Sequence, residues 1–455
     1  MEAVEREHVL REVDALLREL AEERFRIAAG LDAEPSLASV YAAHGAAAHK
    51  ETVARLRAAG DPELAGRVGA LRAERAGAED EEAWRAAEAS ALAHGPDGPV
   101  PLAAAEAAVP AERDRERRLA FGRAAASAIA AASSAGEAAA ERRARARAEV
   151  GLVPDWEAVV GADEVLDASE DGYRDVLTWL ARRELELSPA PRGDLDRSDL
   201  LHLLALRRRD GLFPPGMLAV VLRQVAEGLG LDLGRVRVEE GARPAQWPGA
   251  HAFEARVAFR RRGGAADWMD LLRAAGEALA AAACAPGSRQ PAFAAALGSL
   301  LCGLLLEPAF LSRHLGVERG QAGDLARALA LGRLFALRAR AAALRVAAEV
   351  ERGSSADAWR RAHREALSAA ALAAWPDGLA ARDGWAERHR LALEGAAWGE
   401  VLRTRLVEAH DEDFWRNPRA AATLAGWLAA GRAGPEEERP PFASAARALL
   451  GRLGA

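Results

Sequence analysis

The stretch Leu271-Leu272-Arg273-Ala274-Ala275-Gly276-Glu277-Ala278-Leu279-Ala280 decides how this chain is read. Ala, Leu, Arg and Glu are good helix formers, and the surrounding run predicts a helix over 266–283. Arg273 and Glu277 are four apart and so project from one face of it.

Working outward, the segment just before this helix carries the only strand signals in the chain. Val236 and Val238, then Phe253, Ala255, Val257 and Phe259, alternate with charged residues. A connection containing Pro244, Pro248 and Gly249 separates the two sets, and Gly263-Gly264 closes the second. One small sheet near 234–262 is therefore expected, with 252–261 read as a single strand. Helices are predicted on both sides, at 169–187, 197–209 and from Pro214-Pro215 to Gly228 before the sheet. After it they are expected at 291–312, 320–352, 356–374, 383–409, 417–430 and 440–452. Pro189, Pro191 and Gly193 mark a loop between the first two.

Residues 1–150 read as an elongated helical region, with helices near 2–29, 36–59, 62–76, 80–93 and 111–149 and a turn at Gly-Pro-Asp-Gly-Pro (95–99). Residues 151–455 form the more globular part. The expected fold class is mainly α with one small sheet. No repeat of fixed period is visible, which argues against a regular solenoid.

Composition narrows the function classes. Hydrophobic residues make up 50% of the chain and charged residues 28%, which is globular composition. The formal net charge of −7 gives no global attraction to nucleic acid. The Arg-rich stretches 113–118 and 142–147 interleave Arg with Glu, Asp or Ala and lack aromatic residues for base stacking, so they read as solvated helix faces. Cys284 and Cys302 lie in apolar runs and are expected to be reduced core residues. The start, Met1-Glu2-Ala3-Val4-Glu5-Arg6-Glu7, lacks the basic and apolar parts of a signal peptide. The longest uncharged apolar run, Pro291 to Leu306, is shorter than the roughly 20 residues of a membrane span. A cytoplasmic protein without a membrane segment is the expectation.

The sheet-then-helix order and the local sequence resemble the oligoendopeptidase F and thimet oligopeptidase type of zinc peptidases, and bacterial relatives of those enzymes in particular. In that family a small sheet precedes a helix reading Leu-(Leu or Phe)-His-Glu-Ala-Gly-His-Ala-Leu-His. The scaffold letters of 271–280 fall in register with it, whereas every reactive letter differs. The resemblance places Arg273 at the first zinc His, Ala274 at the general-base Glu and Glu277 at the second zinc His. On the next helix Gly303, Pro308 and Leu311 keep the register, and Ala295 occupies the place of the third ligand, a Glu. The likeness runs over about 195–431 and includes Arg243-Pro244, Ala252-Phe253, Phe414-Trp415 and Gly431.

A zinc peptidase holds its metal with two neutral imidazoles at i and i+4 and a carboxylate from a second helix, and activates the bound water with a Glu. Arg273 keeps its proton and offers no lone pair, and Ala274 and Ala295 have no donor atom. No two of the ten His residues are three or four apart. His251, His314, His389 and His410 remain as candidates for a site assembled across helices. The family's late helix carries oxyanion-stabilising Tyr and His. Here both tyrosines, Tyr41 and Tyr173, precede the core, and His389 is the candidate remnant. Neither a CxxC pair, a Gly-x-Ser-x-Gly elbow nor a phosphate loop is present.

The resemblance thus implies a peptidase-like scaffold without a zinc site, a cofactor or peptide hydrolysis. A peptide or protein partner in the retained cleft is the first expectation, with Phe253, Ala255, Val257 and His389 as cleft remnants. A structural subunit beside an active relative and an enzyme of different chemistry are the alternatives. Arg273 and Glu277 are expected to pair and fill the space a metal would leave. Nothing in the sequence sets the oligomeric state.

Overall fold

The computed structural model describes residues 3–454 apart from 32–35, 191–192, 244, 285–290 and 432–438. Pro191 and Pro244, singled out above, lie outside the described residues. The first helices in chain order are α1 (Ala3–Ala28), α2 (Leu37–Ala43), α3 (Lys50–Ala58), α4 (Pro62–Ala76), α5 (Ala78–Ser90), α6 (Leu102–Ala111) and α7 (Arg115–Glu149). Then come α8 (Trp156–Leu185), α9 (Arg197–Leu204), α10 (Pro215–Gly228), α11 (Gly264–Ala283), α12 (Pro291–Gly303) and α13 (Pro308–Leu315). The last are α14 (Arg319–Glu351), α15 (Ala356–Ala371), α16 (Ala386–His410), α17 (Pro418–Ala430) and α18 (Phe442–Leu453). The strands are β1 (Leu92–Gly95), β2 (Gly98–Pro101), β3 (Arg237–Glu240), β4 (Gly249–Phe253) and β5 (Arg256–Arg260).

The protein is mainly helical, as the propensities predict. Asp61, Asp114, Asp155 and Asn417 each cap a helix by accepting from a backbone N–H of its first turn. Four expectations need correction. The run 36–59 is broken at His44–His49, where a short 3₁₀ turn over Gly45–Ala48 leads into extended backbone at His49. The predicted helix 291–312 bends by 77° at Glu307, because Pro308 cannot donate to a continuing ladder and instead starts α13. The turn at 95–99 belongs to a second small sheet, the antiparallel hairpin β1–β2.

The expected sheet is present, but 252–261 is not one strand. Glu254, at φ 50°, turns the chain, so β4 and β5 form an antiparallel hairpin. β3 pairs with β5 in parallel, giving the order β3-β5-β4. β5 is therefore central, and β4 presents an edge toward α11.

One large hydrophobic cluster joins α8 to α18 and includes Trp268, Leu272, Leu297, Leu334, Leu393 and Leu402. Burying each such side chain contributes about 1.5–3 kcal/mol. A second cluster gathers Val13, Leu16, Leu20, Leu56 and Val68 from the N-terminal helices. The end of α1 reaches the sheet, where Phe25, Ala28 and Ala258 pack together and the Trp247 amide donates to Ala28 O at 2.9 Å.

α11, α12 and α16 pack unusually tightly. A Cβ on Gly276 would lie 2.7 Å from Gly298 Cα, and one on Gly395 would lie 2.4 Å from Ala295 Cβ. A Cβ on Gly399 would lie 2.6 Å from Ser299 Cβ. Small residues on both faces of α12 thus let its two neighbours approach backbone to backbone. No single helix among the described residues is long and apolar enough to cross a membrane. Cys302 is buried as expected, whereas Cys284 is half-buried and donates to Leu428 O at 3.3 Å.

Candidate functional site

Gly263 and Gly264, both at positive φ, deliver the chain from β5 into α11, and Asp267 accepts from the Arg262 amide at 2.6 Å to fix the start. This sets the helix rotation. Arg273 and Glu277 then face β4 and α12. Arg273 Nη1 donates to Glu277 Oε1 at 2.6 Å, and Nη2 donates to Ala250 O at 2.6 Å. The guanidinium therefore closes the i, i+4 pair and also occupies a backbone acceptor on the β4 edge. Glu277 holds the Arg273 guanidinium above its ordinary basicity. The two side chains keep 38% and 23% exposure, so solvent reaches the pair and it is not sealed in the core.

Ala274 is fully buried. Ala295 abuts Gly395 of α16, and Gly298 faces the Arg273–Glu277 pair, with Glu277 Cγ 2.9 Å from where a Gly298 Cβ would lie. Such a donor set does not fit zinc: a guanidinium, two methyl groups and one carboxylate already engaged by a cation. Among the described residues no three His, Cys, Asp or Glu are grouped to hold a metal ion.

The other singled-out residues are dispersed. Val257 is fully buried, Ala255 sits in the β4–β5 turn, and Phe253 packs with Trp247 against α1. None of these three follows from a single cleft-lining strand, because the hairpin turns between them. His314 pairs with Gln224 at 3.2 Å and His410 with Thr423 at 2.9 Å.

His389 is almost fully buried. Its Nδ1 accepts from Arg340 at 3.2 Å, so the proton sits on Nε2, which donates to Asp383 O at 3.0 Å. Both ring nitrogens are thus used internally. Burial, with Arg340 and Arg388 nearby, lowers its pKa to about 4 against the pull of Asp383. Asp383 also binds His363 Nε2 at 3.0 Å. Burial alone would raise the Asp383 carboxyl, but that bond and the neighbouring cations hold it below the usual range.

Sequence reasoning missed the arginines around this cluster. Arg388 of α16 is an exposed side chain, yet Asp383, Arg273, Glu81 and Glu277 all act on it and surrounding protein lowers its pKa. Desolvation, then Arg388, pull Arg340 down to about 10. His251 of β4 donates through Nε2 to Pro248 O at 2.9 Å, and burial lowers its pKa to about 3, with Arg273 and Arg388 adding to the effect. From the N-terminal side, Arg85 of α5 stacks on Trp84 and Trp247 at 4.2 and 4.8 Å. Trp385, at the start of α16, lies under Arg24 and Arg143 at 5.5 and 5.7 Å. Through Arg85, Arg24 and Arg143 the helices α5, α1 and α7 thus reach the connection before β4 and the start of α16. A signal existed in sequence: Arg338 and Arg340 interrupt the apolar face of α14, and Arg388 and Arg390 flank His389.

A small sheet leading into a long core helix, with N-terminal helices reaching that sheet, is the oligoendopeptidase F-like metallopeptidase fold. Solved structures bear this out. The chain is similar to PZ peptidase A determined with an inhibitor, at TM-score 0.60 and 12% identity over 97% of this chain and 85% of that one. It is also similar to a protein provisionally described as oligoendopeptidase F, at TM-score 0.58 and 13% identity over 95% and 85% of the two chains. A second protein so described, from Bacillus anthracis str. Ames, matches at TM-score 0.51 and 11% identity over 100% and 86%. No family model matches the chain, and no curated protein sequence does. At these identities the likeness carries the fold.

Proposed function

We propose that the protein is a non-catalytic peptidase-fold protein that holds a peptide or an extended protein segment in the cleft between the N-terminal helices and α11. The observation that carries this reading is the double engagement of Arg273. Its guanidinium stands at the position the zinc-binding pattern assigns to a ligand, and it bridges Glu277 and Ala250 O at 2.6 Å each. A fixed cation without a lone pair cannot bind or activate a metal-bound water. In support, β4 is an edge strand and lies beside the part-exposed Arg273–Glu277 pair, which suits backbone recognition by strand addition.

Incubating the purified protein with a randomised hexapeptide pool, with and without added zinc, tests the reading. Retention of peptides without cleavage in either condition is expected. Zinc-stimulated cleavage, lost on Arg273→Leu, would overturn it.

A further inference from the structure

We infer that the cavity between α12, α14, α16 and α18 is a binding site for one small inorganic anion of halide size, held by Arg333, Arg403 and Arg452. The site lies apart from the Arg273–Glu277 pair and does not depend on the peptide reading.

The cavity has a volume of about 20 Å³, and Ser299, Arg333, Glu400, Arg403 and Arg452 are among the residues that line it. Its walls are drawn together at Gly399, where a Cβ would lie 2.6 Å from Ser299 Cβ. A space of that size takes one water molecule or one monatomic ion. It has no room for a phosphate or for a peptide side chain.

The charges around it do not balance. Arg403 donates to Glu307 Oε1 at 2.7 Å and to Glu400 Oε1 at 3.3 Å. Arg452 Nη2 lies 3.6 Å from the same Glu307 oxygen and donates to Glu400 Oε2 at 3.2 Å. Two guanidinium groups and two carboxylates thus form one ring of contacts. Arg333 is the third cation at the cavity. Its donors reach Ser299 Oγ at 2.7 Å and Ser299 O at 3.4 Å, and no carboxylate lies within ion-pair distance of it among the described residues. One positive charge is therefore left over. All five charged side chains are partly buried, so water screens that excess only in part. Burial, with Arg403 and Arg333 nearby, lowers the basicity of Arg452 against the pull of Glu400 and Glu307. Arg403 is buried too, yet its bond to Glu307 holds it above its ordinary basicity, so of the two Arg452 is the one short of negative charge.

A monatomic anion accepts from every guanidinium around it and needs no donor in return. Bound here it would tie α14, α16 and α18 together beside the α12–α16 contact, and a ligand of the folded chain alone stabilises it.

Chloride-35 NMR line broadening of the full-length protein tests the inference, with total ionic strength held constant by sodium gluconate. Excess broadening that saturates with chloride and is displaced by bromide is expected. The thermal unfolding midpoint should rise as chloride replaces gluconate. Arg333→Gln should weaken chloride binding by about tenfold or more, the loss expected for one charge-assisted hydrogen bond. Arg313→Gln, at an exposed position on α13, should leave it unchanged. Ala445→Val is the second variant. Ala445 lines the cavity, so the added methyl groups fill it while all five charged groups stay in place. It should remove the same broadening even where Arg333→Gln fails to fold. No excess broadening in the parent chain would mean that the cavity holds water alone, and would overturn the site. Broadening unmoved by Ala445→Val, or by a folded Arg333→Gln, would overturn it as well.

Discussion

The Arg273 guanidinium lies 2.6 Å from the carbonyl oxygen of Ala250, joining the middle of α11 to the free edge of β4. Removing Arg273 therefore breaks two contacts, whereas removing Glu277 breaks one. A hydrogen bond from a charged donor contributes about 1.5–3 kcal/mol when buried, and the 38% exposure of Arg273 discounts that. Arg273→Leu should cost about 1–2 kcal/mol and Glu277→Ala about 0.5–1 kcal/mol by denaturant unfolding. A fully buried pair would instead lose about 3–5 kcal/mol for either single change. A Glu277→Ala cost in that range would mean that the cleft is dry.

The approach of α11, α12 and α16 depends on glycine. Gly276→Ala brings a methyl group against the Gly298 backbone, and Gly395→Ala brings one against Ala295. Neither obstacle is the flexible end of a side chain, so whole helices must separate. Each change should destabilise by about 2–3 kcal/mol, despite the better helix propensity of Ala. Gly426→Ala, on α17 with nothing near its would-be Cβ, is the control and should be neutral or stabilising. Equal effects at the three positions in thermal unfolding would remove the packing argument.

The His389 ring gives stability a pH dependence of defined sign. Its pKa falls from about 6.5 in the unfolded chain to about 4 when folded. Between those values the unfolded chain binds the extra proton, so stability declines as pH drops from about 6.5 to about 4. The full effect is about 3 kcal/mol, at 1.36 kcal/mol per unit. His389→Gln should flatten that part of the stability profile while lowering stability at pH 7.5, because Gln cannot reproduce both hydrogen bonds. An unchanged slope in urea midpoints measured from pH 7.5 to 4.5 would show that His389 is not the responsible group.

Much of the fold was legible because its signals are local. The register of Leu271, Gly276 and Leu279, and Gly263-Gly264 before them, placed the sheet and the central helix. The β4–β5 turn was not legible, since Glu254 adopts positive φ where Gly or Asn would have announced it. β1 and β2 escaped because each has four residues and Ala, Gly and Pro dominate them. Arg273 and Glu277 were legible as a pair from their spacing. The hydrogen bond from Arg340 to His389 was not, because the two lie 49 positions apart on helices brought together only by tertiary packing.

Metal binding gives the last test, because it probes the donor set directly. Of the four positions that the zinc-binding pattern marks, Glu277 alone carries a donor oxygen, and Arg273 already holds it at 2.6 Å. Zinc would have to displace a fixed cation and then find its other ligands in water. Equilibrium dialysis against micromolar zinc should therefore leave the protein substoichiometric. Arg273→His is the informative variant. It removes the cation and sets an imidazole and a carboxylate four apart on one helix face, which supplies two of the three protein ligands of a catalytic site. Its zinc affinity should rise measurably above that of the parent chain, and Glu277→Ala in that background should abolish the gain. Gly298 faces the same pair, so Gly298→Asp would bring a third ligand, a carboxylate, but at the cost of the close α11–α12 contact. The triple requirement of metal, general base and open helix packing is thus opposed by packing as well as by ligand chemistry. One equivalent of tightly held zinc in the unmodified protein, released by Glu277→Ala, would show that the assignment of these positions is wrong.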